Sequence, residues 1–153
     1  MTTTIAYDQL AGLAGTDLGY TEYRTVTQEQ VNLFADATDD HQWIHVDPVR
    51  AKDGPFGGPI AHGFLSLSLT VPFWTELLDV TGVATKLNYG LDKVRFPAPV
   101  AVGSRVRMRA VVAEVAEVAE VRGGYQLVVD QTVEIEGGVK PAVVARGLYR
   151  FLA

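Results

Sequence analysis

Pro59-Ile60-Ala61-His62-Gly63-Phe64-Leu65-Ser66-Leu67-Ser68-Leu69-Thr70-Val71-Pro72-Phe73-Trp74-Thr75-Glu76-Leu77-Leu78-Asp79 is the stretch on which the fold turns. From about residue 61 to 79 it is apolar almost all round, the pattern of a helix surrounded by protein. Ser66, Ser68, Pro72, Glu76 and Asp79 break the apolar run, so a buried helix is expected here and not a membrane span. Pro72 removes a backbone donor and is expected to kink or interrupt that helix. Phe56-Gly57-Gly58-Pro59, just before it, is a loop whose glycines let the backbone turn sharply or approach a ligand.

Upstream, residues 22 to 26 look like a short strand. Thr27-Gln28-Glu29-Gln30 is a capping box, and Val31, Phe34 and Ala35 follow at helical spacing, which predicts a short amphipathic helix over residues 28 to 38. Asp39-Asp40 ends it. Asp47-Pro48 reads as an N-cap followed by proline at the first helical position, opening a brief helix that stops at Gly54-Pro55.

Downstream the pattern is β. Residues 87 to 96 form one candidate strand, bulged near Gly90. In Arg105-Val106-Arg107-Met108-Arg109-Ala110 the arginines alternate with apolar residues, as on a half-buried strand. Residues 113 to 121 repeat Ala-Glu-Val three times, a period that fits neither strand nor helix. A strand continuing through a bulge is the preferred reading, because Gly123-Gly124 would close an antiparallel pair; a helix is the alternative. Tyr125, Leu127, Val129, Val133 and Ile135 then share one face. Gly137-Gly138 turns again, and residues 141 to 151 supply the final strand. Several antiparallel strands and one central buried helix make an α+β architecture, expected as a single domain over residues 1–153.

The net charge is −5 with no block of Lys or Arg, which argues against binding nucleic acid or an anionic membrane through phosphate neutralisation. Cysteine is absent, so a thiolate nucleophile and a zinc-thiolate site are excluded. With no secretory pattern at the N-terminus, a cytoplasmic protein is expected.

Two clusters concentrate the chemistry. Asp40 and His45 lie five residues apart in Asp39-Asp40-His41-Gln42-Trp43-Ile44-His45-Val46-Asp47-Pro48, and Gly63 stands near the start of the buried helix. An acid, a base and an unpaired helix amide can together move protons next to a carbonyl. On spacing alone, a cap at Asp40 and a hydrogen-bonded loop histidine at His45 are the favoured reading. His41 and His45 are four apart, but no third ligand stands at a telling spacing, and no metal is expected. Arg105, Arg107 and Arg109 read as a solvated strand face, with contact to a phosphate group as the alternative.

Phe34-Ala35-Asp36-Ala37-Thr38, Asp40, His45, Asp47-Pro48 and Ile60-Ala61-His62-Gly63 resemble the MaoC-like, (R)-specific enoyl-CoA hydratase family of hot-dog-fold proteins. Asn88-Tyr89-Gly90, Val94-Arg95-Phe96-Pro97-Ala98-Pro99-Val100 and Val102-Gly103-Ser104 extend the likeness. The family often has Asn-Pro inside the catalytic pair, where this chain has Gln42-Trp43; the spacing is unchanged. The resemblance implies a curved antiparallel sheet wrapped around the central helix and a homodimer taking acyl-CoA near the subunit interface. It places the catalytic pair on Asp40 and His45 and the backbone oxyanion donor on Gly63. His62, Trp43 and Asn88 are candidates for the substrate pocket; the alternatives are a structural His62 bonded to backbone at the helix start, a core position for Trp43 and a turn position for Asn88. No cofactor is implied, coenzyme A being part of the substrate. The implied reaction is reversible hydration of a trans-2-enoyl-CoA to an (R)-3-hydroxyacyl-CoA. A hot-dog acyl-CoA thioesterase and a non-catalytic acyl-binding or accessory subunit are the alternatives.

Overall fold

Thr27 caps the first helix as its sequence requires: its hydroxyl accepts the Gln30 amide at 3.1 Å, opening α1 (Gln28–Thr38). Asp39, in the left-handed conformation (φ 60°), stops that helix and turns the chain toward the site. In this computed structural model, which describes residues 1–120 and 123–153, a four-residue helix that the sequence did not suggest comes next, α2 (Trp43–Val46). The Asp47 carboxylate then caps α3 (Pro48–Lys52) by accepting the Arg50 amide at 3.0 Å.

The central apolar segment is two helices, α4 (Gly63–Ser68) and α5 (Thr70–Leu77), meeting at Leu69. Pro72 accounts for where the break falls, since a proline ring clashes with the carbonyl four residues earlier, here that of Ser68. Helix also ends sooner than the pattern suggests. Residues from Leu78 leave it as β4 (Leu78–Thr81), which pairs in parallel with β1 (Thr3–Ala6). A 3-10 helix (Tyr7–Leu13) and β2 (Asp17–Tyr20) complete the N-terminal part. The short strand expected over 22 to 26 is β3 (Arg24–Thr25).

The main sheet is antiparallel. Its long strands are β5 (Thr85–Arg95), β6 (Arg105–Val118), β7 (Gly124–Ile135) and β8 (Val143–Leu152), in the order β2-β6-β7-β8-β5, with β3 also on β6. The Ala-Glu-Val repeat is strand as far as Val118, and its register slips between Val112 and Glu114, the expected bulge. The last repeat residue, Val121, lies outside the described residues. β5 slips twice, around Asn88 to Gly90 and Leu91 to Lys93. Phe73, Trp74 and Leu77 of α5 and Leu65 of α4 share one core with Leu127, Val129 and Val133 of β7 and with Tyr149 and Phe151 of β8.

The α4–α5 segment is not enclosed on every side within the chain. Phe64, Ser68, Val71 and Thr75 are exposed at helical spacing, and they adjoin β5, whose Leu87, Tyr89 and Leu91 are also exposed. The arginine face of β6 is paired as a solvated face should be: Arg105 with Glu136, Arg107 with Glu134 and Arg109 with Asp17. Among the described residues no helix is long and apolar enough to cross a membrane.

Candidate active site

Residues 59 to 61 form a short extended seam that organises the site. On one side the Ile60 amide donates to the Ile44 carbonyl at 3.0 Å; on the other, the Ala61 amide donates to Val100 at 2.8 Å, and Val102 donates to Pro59. The Ile60 carbonyl is thereby fixed, and the Nδ1–H of His45 donates to it at 2.6 Å. A carbonyl can only accept, so the proton sits on Nδ1 and the His45 lone pair is on Nε2. Gln28 of α1 holds the same residue from behind, its amide donating to the His45 carbonyl at 2.8 Å. Neither partner is visible in the local sequence pattern.

Asp40, His45 and His62 converge, with one ligand atom of each lying within 4.8 Å of the others. His45 and His62 are buried, whereas the Asp40 side chain is half exposed. Burial pulls the His45 imidazole below the usual histidine range. The Ile60 hydrogen bond opposes that, the His62 ring adds to it, and the Asp40 carboxylate opposes it. At neutral pH the His45 ring is a free base.

His45 opens onto a cavity of about 320 Å³ with Gly63 in its wall; Phe56, Ile60, Ser66, Phe96, Pro99 and Ala142 also line it. As the first residue of α4, Gly63 has an amide without an intrahelical acceptor. A Cβ at this position would lie 3.0 Å from the Phe96 ring, so any larger residue here would push Phe96 aside.

None of the three candidate pocket residues is among those that line this cavity. Trp43 packs beneath the Arg50 guanidinium (4.3 Å to the ring centre) and against Gly54, outside the cavity wall. Asn88 lines a separate groove of about 210 Å³ with Leu67, Val71, Leu91 and Tyr149. His62 is 2% exposed and sits behind His45, not in the wall.

His41 turns away to Asp36 (2.8 Å) and Asp39 (3.4 Å), carboxylates that raise its pKa, the Asp36 hydrogen bond foremost, and it makes no pair with His45. Asp40, His45 and His62 are a poor metal cage despite their proximity. The two rings stack face to face at 3.9 Å and 24°. A metal bonds imidazole in the ring plane at about 2.0–2.1 Å, and an ion reaching both nitrogens would stand well out of both planes.

The family described as "MaoC like domain" matches residues 10–133. The chain is 53% identical over 144 residues to a protein of Mycobacterium tuberculosis named 3-hydroxyacyl-thioester dehydratase Z, a match covering 94% of each chain. It is 49% identical over 135 residues to nodulation protein N of Rhizobium leguminosarum bv. viciae, covering 86% of this chain and 81% of that one. The solved (R)-hydratase from A. caviae involved in PHA biosynthesis shares the fold, with a TM-score of 0.70 and 24% identity over 89% of this chain and 94% of the other. The chain therefore belongs to the MaoC-like hydratase and dehydratase family, has its hot-dog fold, and is an enzyme of the hydro-lyase class.

Proposed function

We propose that the protein reversibly hydrates a trans-2-enoyl-CoA to the (R)-3-hydroxyacyl-CoA, with Asp40 and His45 handling water and proton and the Gly63 amide polarising the thioester carbonyl. The observation that carries this is the convergence of a free-base imidazole and a carboxylate within 4.8 Å, beside a cavity that is also lined by Gly63, the first residue of α4.

A separation of this size suits one water hydrogen-bonded to both groups. The water oxygen bonds to Cβ of the enoyl thioester while one of its protons passes to His45 Nε2, the atom that the Ile60 bond leaves free. The alkene π pair moves toward the thioester oxygen, where the Gly63 N–H meets the developing charge; a donor of this kind contributes about 3 kcal/mol in the transition state. Proton delivery to Cα from the Asp40–His45 pair then restores the carbonyl and completes addition of H and OH across the double bond. Delivery of both from one side gives syn addition. The dehydratase direction is the same path reversed.

The working unit is proposed to be a homodimer in the cytoplasm. The exposed stripe on α4 and α5 and the free edge of β5 form one apolar surface that a second copy would cover. The deciding experiment follows loss of enoyl absorbance with crotonyl-, octenoyl- and longer enoyl-CoAs, together with chiral analysis of the 3-hydroxy product and a thiol assay. Hydration to the (R) product without thiol release is expected. Free thiol from saturated acyl-CoA would replace this reading with a thioesterase, and inactivity on every chain length would leave an accessory subunit.

A further inference from the structure

His62 is unused by the two-group mechanism, yet it is buried and held from several sides. Its ring touches three separate pieces of chain. One face stacks on His45 of α2 at 3.9 Å, and Phe34 of α1 packs against it at 4.9 Å. Its Nε2–H donates to the Asp40 backbone carbonyl at 2.9 Å, with the Asp40 carboxylate 4.0 Å from the same nitrogen. His62 is also the cap residue of α4, so the next amide along the chain is that of Gly63.

We propose that His62 is a positioning residue: one buried ring that sets the Asp40 loop and the plane of the His45 imidazole relative to the Gly63 amide. This rests on the hydration reading for its effect on turnover, though not for its geometry.

The residue type follows from what each alternative would lose. A phenylalanine fills the space and stacks but leaves the Asp40 carbonyl without its donor. A glutamine can place an amide N–H near the Nε2 position but offers no ring for His45 to lie against. Histidine does both, at a cost the fold retains: its Nδ1 is buried with no hydrogen-bond partner. Buried unpaired polar atoms are uncommon in native proteins, and this one is kept where two reacting groups must be held in register. The charged or titratable groups against the His45 ring are His62 itself and Asp40. From α1 the uncharged Gln28 amide meets the residue, and the cavity wall beside it is apolar apart from Ser66.

The test compares the full-length wild type with His62→Phe and His62→Gln. The His45 imidazole is titrated by long-range 1H–15N NMR without substrate, kcat and KM are measured for enoyl-CoA hydration, and thermal unfolding gives the folded fraction. In the wild type, His45 is expected as the Nδ1–H tautomer. In His62→Phe the His45 titration should move, and kcat per folded molecule should fall about 10- to 100-fold with KM nearly unchanged, as for a small misplacement of reacting groups. His62→Gln should move the titration too, but recover part of kcat by restoring the donor to Asp40.

An unmoved His45 titration in both variants overturns the proposal. So does a loss of activity that only tracks the folded fraction. If His62→Phe does not fold, His62→Gln decides by the same titration. A wild type that hydrates no enoyl-CoA, while the His45 titration still moves in the variants, would sink the hydration reading and leave the positioning role standing.

Discussion

At the scale of single residues, the site depends on where one proton sits. The Ile60 carbonyl fixes it on His45 Nδ1, and burial keeps the ring below the usual histidine pKa. The acid limb of kcat/KM should therefore lie below about 6.5, the ordinary imidazole value, with activity retained as pH falls through that point. A pH–rate profile whose limb falls at or above that value would contradict it. The same shift has a sign in stability. Because folding lowers the pKa, the unfolded chain binds more protons in the interval between the two values. The His45 contribution is thus full above the unfolded pKa and declines as pH drops toward the folded one. Denaturant unfolding at pH 7.5 and 5.5 should show a larger loss for wild type than for His45→Gln. Asp40→Asn and His45→Gln should each cut hydration by about 10²- to 10⁴-fold while the fold survives, measured as kcat alongside circular dichroism. Gly63→Ala acts differently. Its Cβ meets Phe96 at 3.0 Å, but Phe96 is 42% exposed and can swing into the cavity. Impaired turnover with little change in melting temperature is expected.

At the scale of elements, what the sequence revealed is what local chemistry encodes. The Thr27 cap and the 3.6-residue spacing of Val31, Phe34 and Ala35 mark both ends of α1, and the hydroxyl-to-Gln30 bond is present. Thr27→Ala should cost about 1 kcal/mol, readable as a lower denaturation midpoint at unchanged slope. The three-residue repeat resolved as a bulged strand because it continues β6, whose pairing with β7 outweighs an indifferent local pattern. What stayed hidden is set by distant chain. Leu78 leaves the helix to pair with Thr3, and no periodicity near Leu78 announces that partner. The break at Leu69 is a backbone clash projected four residues back from Pro72, so marking the proline misplaces it. In the site, the Asp40–His45 spacing and the His-Gly pair were legible through a family likeness. The partners that orient them were not: Ile60 lies 15 residues from His45 and Gln28 lies 17, and each bond exists only once the elements have packed. Trp43 and Asn88, offered as pocket candidates, are held by α2 and β5 outside the wall of the His45 cavity, an outcome set by packing and not by spacing.

At the scale of the molecule, the most consequential feature is a face left open. The central segment was expected to be enclosed all round, and within one chain it is not: Phe64 is 69% exposed and Val71 38%, in a stripe running beside β5. Among the described residues β5 pairs only with β8, so its outer edge presents unpaired backbone, with Leu87, Tyr89 and Leu91 exposed along it. An edge this long and apolar is a liability for a monomer and is normally covered. Two copies related by a two-fold axis can pair these edges and bury both stripes, since a self-complementary patch needs only one surface. Leu91 lies in the groove with Leu67 and Val71, away from His45 and Gly63. Leu91→Lys would place a charge in that surface without touching the proposed catalytic groups. Sedimentation equilibrium should give twice the chain mass for wild type and a shift toward single-chain mass for the variant, dependent on concentration. Wild-type protein that stays monomeric at micromolar concentration would overturn the homodimer and turn attention to a different chain as the cover for this face.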